Sequence, residues 1–165
     1  MEKHNIEITL LNLPGSRIQT TSARFSTVSG DACEMAEIQD HAFDLVHSNS
    51  VIEHVGSWGQ MKRMATEIDR VGNAYYLQTP YFWFPIEPHF VAPFLHWLPM
   101  PVRCSLAMRM ALGNWPRAQS LDEAMQAQQS AVLLDRKMMK SLFPGAALQF
   151  ERFAGLPKSV IAIKT

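Results

Sequence analysis

FDLVHSNSVIEHVG, residues 43–56, sets an apolar strand against an abrupt polar stop and then places Glu53 beside His54. Phe43–His47 has the composition of a buried strand. Downstream, Ser57 with Gln60 three residues later makes the pattern of a capping box, and Trp58, Met61, Met64, Ile68 and Val71 recur at helical spacing as far as Gly72. Ala74–Thr79 reads as the next strand, closed by Pro80. Strand, helix, strand within about 35 residues is one right-handed βαβ unit. The mostly apolar AYYLQ of its second strand predicts a sheet covered on both faces.

The alternation continues outward from this unit. IEITLLNL (6–13) ends at Pro14-Gly15, and FSTVSGDA (25–32) ends at Gly30-Asp31, so each reads as a strand followed by a turn. Beyond Pro80 the chain changes character. The stretch to Pro101 holds six of the ten prolines together with Tyr81, Phe82, Trp83, Phe84, Phe90, Phe94 and Trp97, which predicts an ordered aromatic excursion past the end of a strand. Helices follow over Val102–Leu112, over Leu121–Ser130 behind a second capping box (Ser120, Glu123), and over Arg136–Leu142 behind Asp135. LQFERF and KSVIAIKT, joined by Ala154-Gly155-Leu156-Pro157, read as a closing antiparallel hairpin. The expectation is an α/β fold with one twisted, mainly parallel sheet, in a single domain over residues 1–165, with residues 80–118 inserted as an aromatic, proline-rich cap.

Composition narrows the function. Basic and acidic residues both number 15, so no global field favours nucleic acid. Cys33 and Cys104 lie far apart with no CxxC, and no N-terminal signal pattern is present, which predicts a reducing cytoplasm and two small core residues. The uncharged stretches Val71–Ile86 and Pro88–Val102 are short for a membrane helix. Peripheral membrane contact and self-association remain compatible with the sequence.

An open α/β sheet binds ligands at the carboxyl ends of its strands. SGDA, HSNS and QTPY put polar groups at three such ends, and so predict one shared crevice. Asp31 is placed to accept a hydrogen bond from a ligand, and Ser48 and Asn49 to form its rim. The competing reading is local, since Ser, Asn, Asp and Gly favour turns and caps for reasons of their own. No Ser-His-Asp or Cys-His set follows from the spacing, and no catalytic residue is assigned.

FDLVHSNSVIEHVG, the helix ending EIDRVG, the strand YYLQTP and the preceding GDA together resemble class I S-adenosylmethionine-dependent methyltransferases of the type-11 group, most specifically between Gly30 and Pro80. The resemblance implies a Rossmann-like fold and a cofactor site in which Asp31 and Ala32 lie at the adenine, Ser48 and Asn49 line the cofactor, and Asn12 falls near the ribose. Asn12 departs from the acidic residue usual there; it can make one ribose bond well but lacks the charge. Tyr81, Trp83 and His89 are the candidates for an acceptor pocket under the aromatic cap, for a small or lipid-like acceptor. Methyl transfer needs no nucleophile from the protein, because the sulfonium is already activated.

A larger departure lies at the N-terminus. The family sheet runs 3-2-1-4-5-7-6, and its first strand and glycine-rich turn should precede IEITLLNL, yet only Met1–Asn5 do. The expectation is an N-terminally truncated fold, or one that has repaired its sheet by direct strand pairing or by association with another chain. The missing turn would hold the methionine end of the cofactor. Each charged hydrogen bond lost there is worth about 1.5–3 kcal/mol, so S-adenosylmethionine binding by this chain is expected to be weak or absent. Two readings of function follow: a methyltransferase, inactive as this chain if truncated, or a non-catalytic remnant serving as an interaction module. A nicotinamide-dependent oxidoreductase is disfavoured, since it needs a GxGxxG turn and the nearest glycines are Gly15 and Gly30. No metal is expected: quinone-pathway relatives bind a divalent ion through E-x-x-E-H, and Ser50 stands at the first carboxylate position, leaving a hard cation too few oxygens.

Overall fold

Helix α1 (Trp58–Val71) starts at the capping box expected from its sequence. In the computed structural model, which describes residues 6–15 and 24–165, Gln60 N–H donates to Ser57 Oγ at 3.3 Å and Ser57 N–H donates to Gln60 Oε1 at 2.8 Å. Two N–H groups that a helix start leaves unpaired are thereby satisfied. Met61, Met64, Ala65, Ile68 and Val71 form the buried stripe. The helix stops at Gly72, which opens β4 (Gly72–Pro80). A Cβ at Gly72 would lie 2.7 Å from Val46 Cγ2 and 2.9 Å from the Ala74 carbonyl oxygen, so only glycine lets the corner sit this close to β3 (Phe43–Asn49).

Strands β3 and β4 pair in parallel, with Leu45 opposite Ala74 and Asn49 opposite Gln78. The closing hairpin of β7 (Ala147–Phe153) and β8 (Leu156–Lys164) forms as expected, and β8 also pairs antiparallel with β4. The order is β3-β4-β8-β7. Strands β1 (Ile8–Asn12) and β2 (Phe25–Ser29) make a parallel pair of their own.

The α/β class and the order of elements stand, and one expectation does not. Ile6–Leu13 and Phe43–His47 were expected in one sheet; they lie in two. Among the described residues β1 and β2 pair only with each other, so no backbone ladder joins them to the four-stranded sheet. The four-stranded sheet is also less parallel than expected, because the hairpin supplies two of its strands.

Burial along β4 alternates. Tyr75, Leu77 and Thr79 are buried beneath α1 and α4 (Arg136–Leu142), where Met139, Leu142 and Phe143 complete the main core with Ile68, Val160 and Ala162. The opposite side of β4, Ala74, Tyr76 and Gln78, is only half-buried, and there His47 stacks on Tyr76 with ring centroids 5.5 Å apart. Cover on both faces is therefore incomplete, since α1 and α4 share one side.

What ties the exit of β2 to the rest is α1. Arg70 donates through all five of its N–H groups: Nε and Nη2 to Glu67, Nη1 to the Ile38 carbonyl and Asp40, and Nη2 to the Met35 carbonyl, at 2.7–3.0 Å. Glu67 also accepts from the Met35 N–H.

After β4 the chain forms the short pair β5 (Ile86–Glu87) and β6 (Ala92–Pro93), a 3-10 turn at Leu95–Trp97, then α2 (Met100–Arg109) and α3 (Leu121–Gln129). Ser120 and Asp135 cap α3 and α4, accepting from the backbone N–H of Glu123 and Met138. Glu123 does not close a box on Ser120; its carboxylate takes the Gln119 N–H instead. Phe90, Leu95 and Ala127 make one small satellite core, and Cys104, Ala107 and Ala124 another. Cys33 and Cys104 are both buried free thiols. No helix among the described residues is long and apolar enough to cross a membrane.

Candidate functional site

Asn12 closes β1, half-buried, and its carbonyl accepts from Gly30 N–H at 2.8 Å. Asp31 is exposed and turns its carboxylate back on its own loop, where Oδ1 accepts from Cys33 N–H at 2.8 Å. Ala32 is half-buried against the main core, and Cys33 Sγ–H donates to the Gln60 carbonyl at 3.3 Å, while burial pushes the thiol's pKa up. The turn after β2 thus abuts the start of α1. Ile52, in the turn after β3, belongs to the same core cluster as Ala32 and Cys33.

Ser48, near the end of β3, is buried, and its hydroxyl oxygen has no hydrogen-bond partner. Asn49 is exposed and accepts from Ser50 Oγ at 3.3 Å. Ser50 takes a left-handed φ of 52°, which swings the chain away from the sheet into a 3-10 turn at Ile52–His54. There Glu53 is fully buried: Oε2 accepts from Thr79 Oγ1 at 2.8 Å, and Oε1 has no partner.

The three acceptor-pocket candidates go to different surroundings. Tyr81 packs edge-on to Phe150 at 5.0 Å, and burial pushes its phenol's pKa up. Trp83 is 58% exposed, touching Phe82 and Trp97. His89 is held by Glu87, Nδ1 to Oε1 at 2.7 Å, and its Nε2 lies 3.2 Å from His54 Nε2. The Glu87 bond holds His89 above the usual imidazole range, with burial opposing it.

A cavity of about 450 Å³ lies beside these residues and not among them. The aromatic excursion lines it through Phe82, Glu87, Phe90 and His96, helix α2 through Arg103, and α3 through Gln128. Four atoms of these linings are buried without a partner: His96 Nδ1, Arg103 Nε, and both Gln128 Oε1 and Nε2. His96 Nε2 lies 2.7 Å from the Phe82 carbonyl, so that nitrogen carries the proton and Nδ1 presents a lone pair. Burial holds the His96 pKa down, which keeps the ring neutral near pH 7.

None of His96, Arg103 and Gln128 follows from motif reading. A weak signal did exist for Gln128: Leu121, Ala124, Met125 and Gln128 fall at i, i+3, i+4 and i+7, which places an amide on a stripe of otherwise apolar residues.

A family model described as a methyltransferase domain matches residues 3–74. No curated protein matches the sequence. Among solved structures, a SAM-dependent methyltransferase from Methanosarcina mazei superposes with a TM-score of 0.55 at 12% identity, over 96% of this chain and 82% of that one. LepI in complex with SAM gives a TM-score of 0.50 at 10% identity, over 95% of this chain and 35% of that one. A possible exported protein from Bordetella parapertussis gives 0.50 at 12% identity, over 86% and 44%. The chain thus spans less than half the length of two of these three. The likeness is one of fold.

Proposed function

We propose that this chain, which has the fold of class I S-adenosylmethionine-dependent methyltransferases and matches their domain model over residues 3–74, serves methyl transfer to a small or lipid-like acceptor held beneath the aromatic segment. The observation that carries the acceptor side is the cavity with four unpartnered polar atoms. Buried polar groups are almost always paired, and unpartnered polar atoms on three residues that line one cavity suit a site whose hydrogen bonds are completed when a ligand binds. Phe82 and Phe90 supply apolar wall for the remainder of such a molecule.

On the donor side, Asp31 and Ala32 serve the adenine, Ser48 and Asn49 the wall of the cofactor site, and Asn12 the ribose. No side chain need act as nucleophile: the sulfonium supplies an activated methyl group, and the protein aligns donor and acceptor and excludes water. The exposed rings of Trp83, Phe94 and Trp97 support peripheral contact with a lipid surface. A cytoplasmic setting without a nucleic-acid partner completes the reading.

Two titrations test it. With S-adenosylhomocysteine, affinity is expected to fall in Asp31→Ala and in Asn12→Ala; equal affinity in all three chains would remove these residues from the cofactor site. With amphiphilic alcohols and carboxylates, thermal shifts are expected for the native chain and not for Gln128→Leu, and equal shifts in both would remove the cavity from the proposal. The rival reading, an interaction module, is favoured by one observation: Leu45, 57% exposed, lies on β3, whose outer edge pairs with no described strand. Concentration-dependent mass in light scattering supports that rival.

A further inference from the structure

His54 and His89 meet Nε2 to Nε2 at 3.2 Å, with ring planes perpendicular and centroids 4.8 Å apart. Each Nδ1 is committed elsewhere. His54 Nδ1 lies 2.8 Å from the Ser130 carbonyl oxygen, which can only accept, so Nδ1 carries the proton. His89 Nδ1 lies 2.7 Å from Glu87 Oε1, on a carboxylate whose other oxygen accepts from Phe90 N–H, so the same holds there. In neutral rings the two Nε2 atoms then aim lone pairs at each other at hydrogen-bond distance. That arrangement is repulsive unless a positive centre lies between them.

A third group faces the same place. Glu53 is fully buried and has an oxygen without a partner, and one of its carboxylate oxygens and the two imidazole nitrogens all lie within 4.8 Å of one another. We propose that His54, His89 and Glu53 form a site for a divalent transition ion of the zinc class. Two nitrogens on a tetrahedral zinc, each about 2.0–2.1 Å from it, sit roughly 3.3–3.4 Å apart, which the 3.2 Å separation here approaches. Both imidazoles already give their second N–H to a carbonyl and a carboxylate, the partners that orient metal-bound histidines and raise their basicity. Glu53 closes in by about 1 Å to complete a two-histidine, one-carboxylate set with a fourth position open.

The expectation of no metal counted oxygen ligands for a hard cation. Two nitrogens from separate segments make a different site, one suited to zinc, cobalt or nickel and poor for magnesium. Such an ion fastens the turn after β3 to the loop between β5 and β6. Glu87 and Ser130, which brace the two rings, also line the cavity, so the ion fixes that wall. None of this depends on methyl transfer.

The test is titration of the metal-stripped full chain with Zn²⁺ and Co²⁺, each alone. One equivalent of Co²⁺ is expected to give the visible absorption of a tetrahedral site, to be displaced by Zn²⁺, and to be unaffected by excess Mg²⁺. His54→Gln, at an exposed residue whose loss should leave the fold intact, and His89→Gln are each expected to weaken zinc by at least ~tenfold. Thermal unfolding of every variant without metal separates lost ligation from lost folding. Absence of zinc binding in the native chain at severalfold excess would overturn the proposal and leave the rings sharing a proton. So would zinc binding that persists unchanged in both histidine variants.

Discussion

Replacing Ser48 by Ala is expected to stabilise the free chain, against the usual direction for a buried position. The Ser48 hydroxyl has left water on folding and gained no partner, an arrangement that costs about 1–3 kcal/mol. Alanine removes the polar atom, keeps the backbone ladder opposite Leu77, and leaves almost no void. For a domain of this length each kcal/mol shifts Tm by roughly 2–4 °C, so a rise of about 2–12 °C is expected. Urea unfolding should show the gain in the midpoint with an unchanged slope, which separates native stabilisation from a change in the unfolded ensemble. A midpoint that falls would refute the reasoning, by showing that the hydroxyl is satisfied in solution. The outcome bears on function, since a group held unsatisfied at the end of a strand suits a contact completed only by ligand.

Other outcomes follow from single contacts. Gly72→Ala forces a methyl group against Val46 and the Ala74 carbonyl and should destabilise by about 1–3 kcal/mol, whereas Gly59→Ala, whose nearest atom is 3.7 Å away, should stabilise α1 by up to about 1 kcal/mol; paired urea melts give both signs. Thr79→Val strips Glu53 of its donor inside the core and should cost about 1.5–3 kcal/mol by the same assay, whereas Thr79→Ser keeps the hydroxyl and should avoid most of that loss. The Arg70 guanidinium holds the Glu67 carboxyl below its ordinary value of 4.5, so the stability it gives is fully present above that pH and lost as pH falls through the lowered native value. Glu67→Gln should therefore flatten the acid limb of a Tm-against-pH curve.

Local chemistry was legible in the sequence. The Ser57 and Asp135 caps, the glycine stop of α1 and the closing hairpin each depend on residues a few positions apart, and all formed. Sheet partition was not legible, because it turns on which distant strands share a ladder, a question that alternation cannot answer. Asp31, Ser48 and Asn49 could be placed at strand ends from the sequence, because strand ends announce themselves in composition. His96, Arg103 and Gln128 were missed because they converge from three elements on a space that exists only after packing. The approach of His89 to His54, 35 residues apart, was hidden for the same reason.

The fully engaged Arg70 guanidinium carries a consequence for cooperativity. With no ladder between β1–β2 and the larger sheet among the described residues, the two groups can lose their amide protection in separate steps, as distinct unfolding units. Arg70, fixed on α1 and gripping the segment that leaves β2, is one of the points at which their fates are joined. With the Cys33–Gln60 and Met35–Glu67 bonds, it bears on whether hydrogen exchange sees one unfolding unit or two.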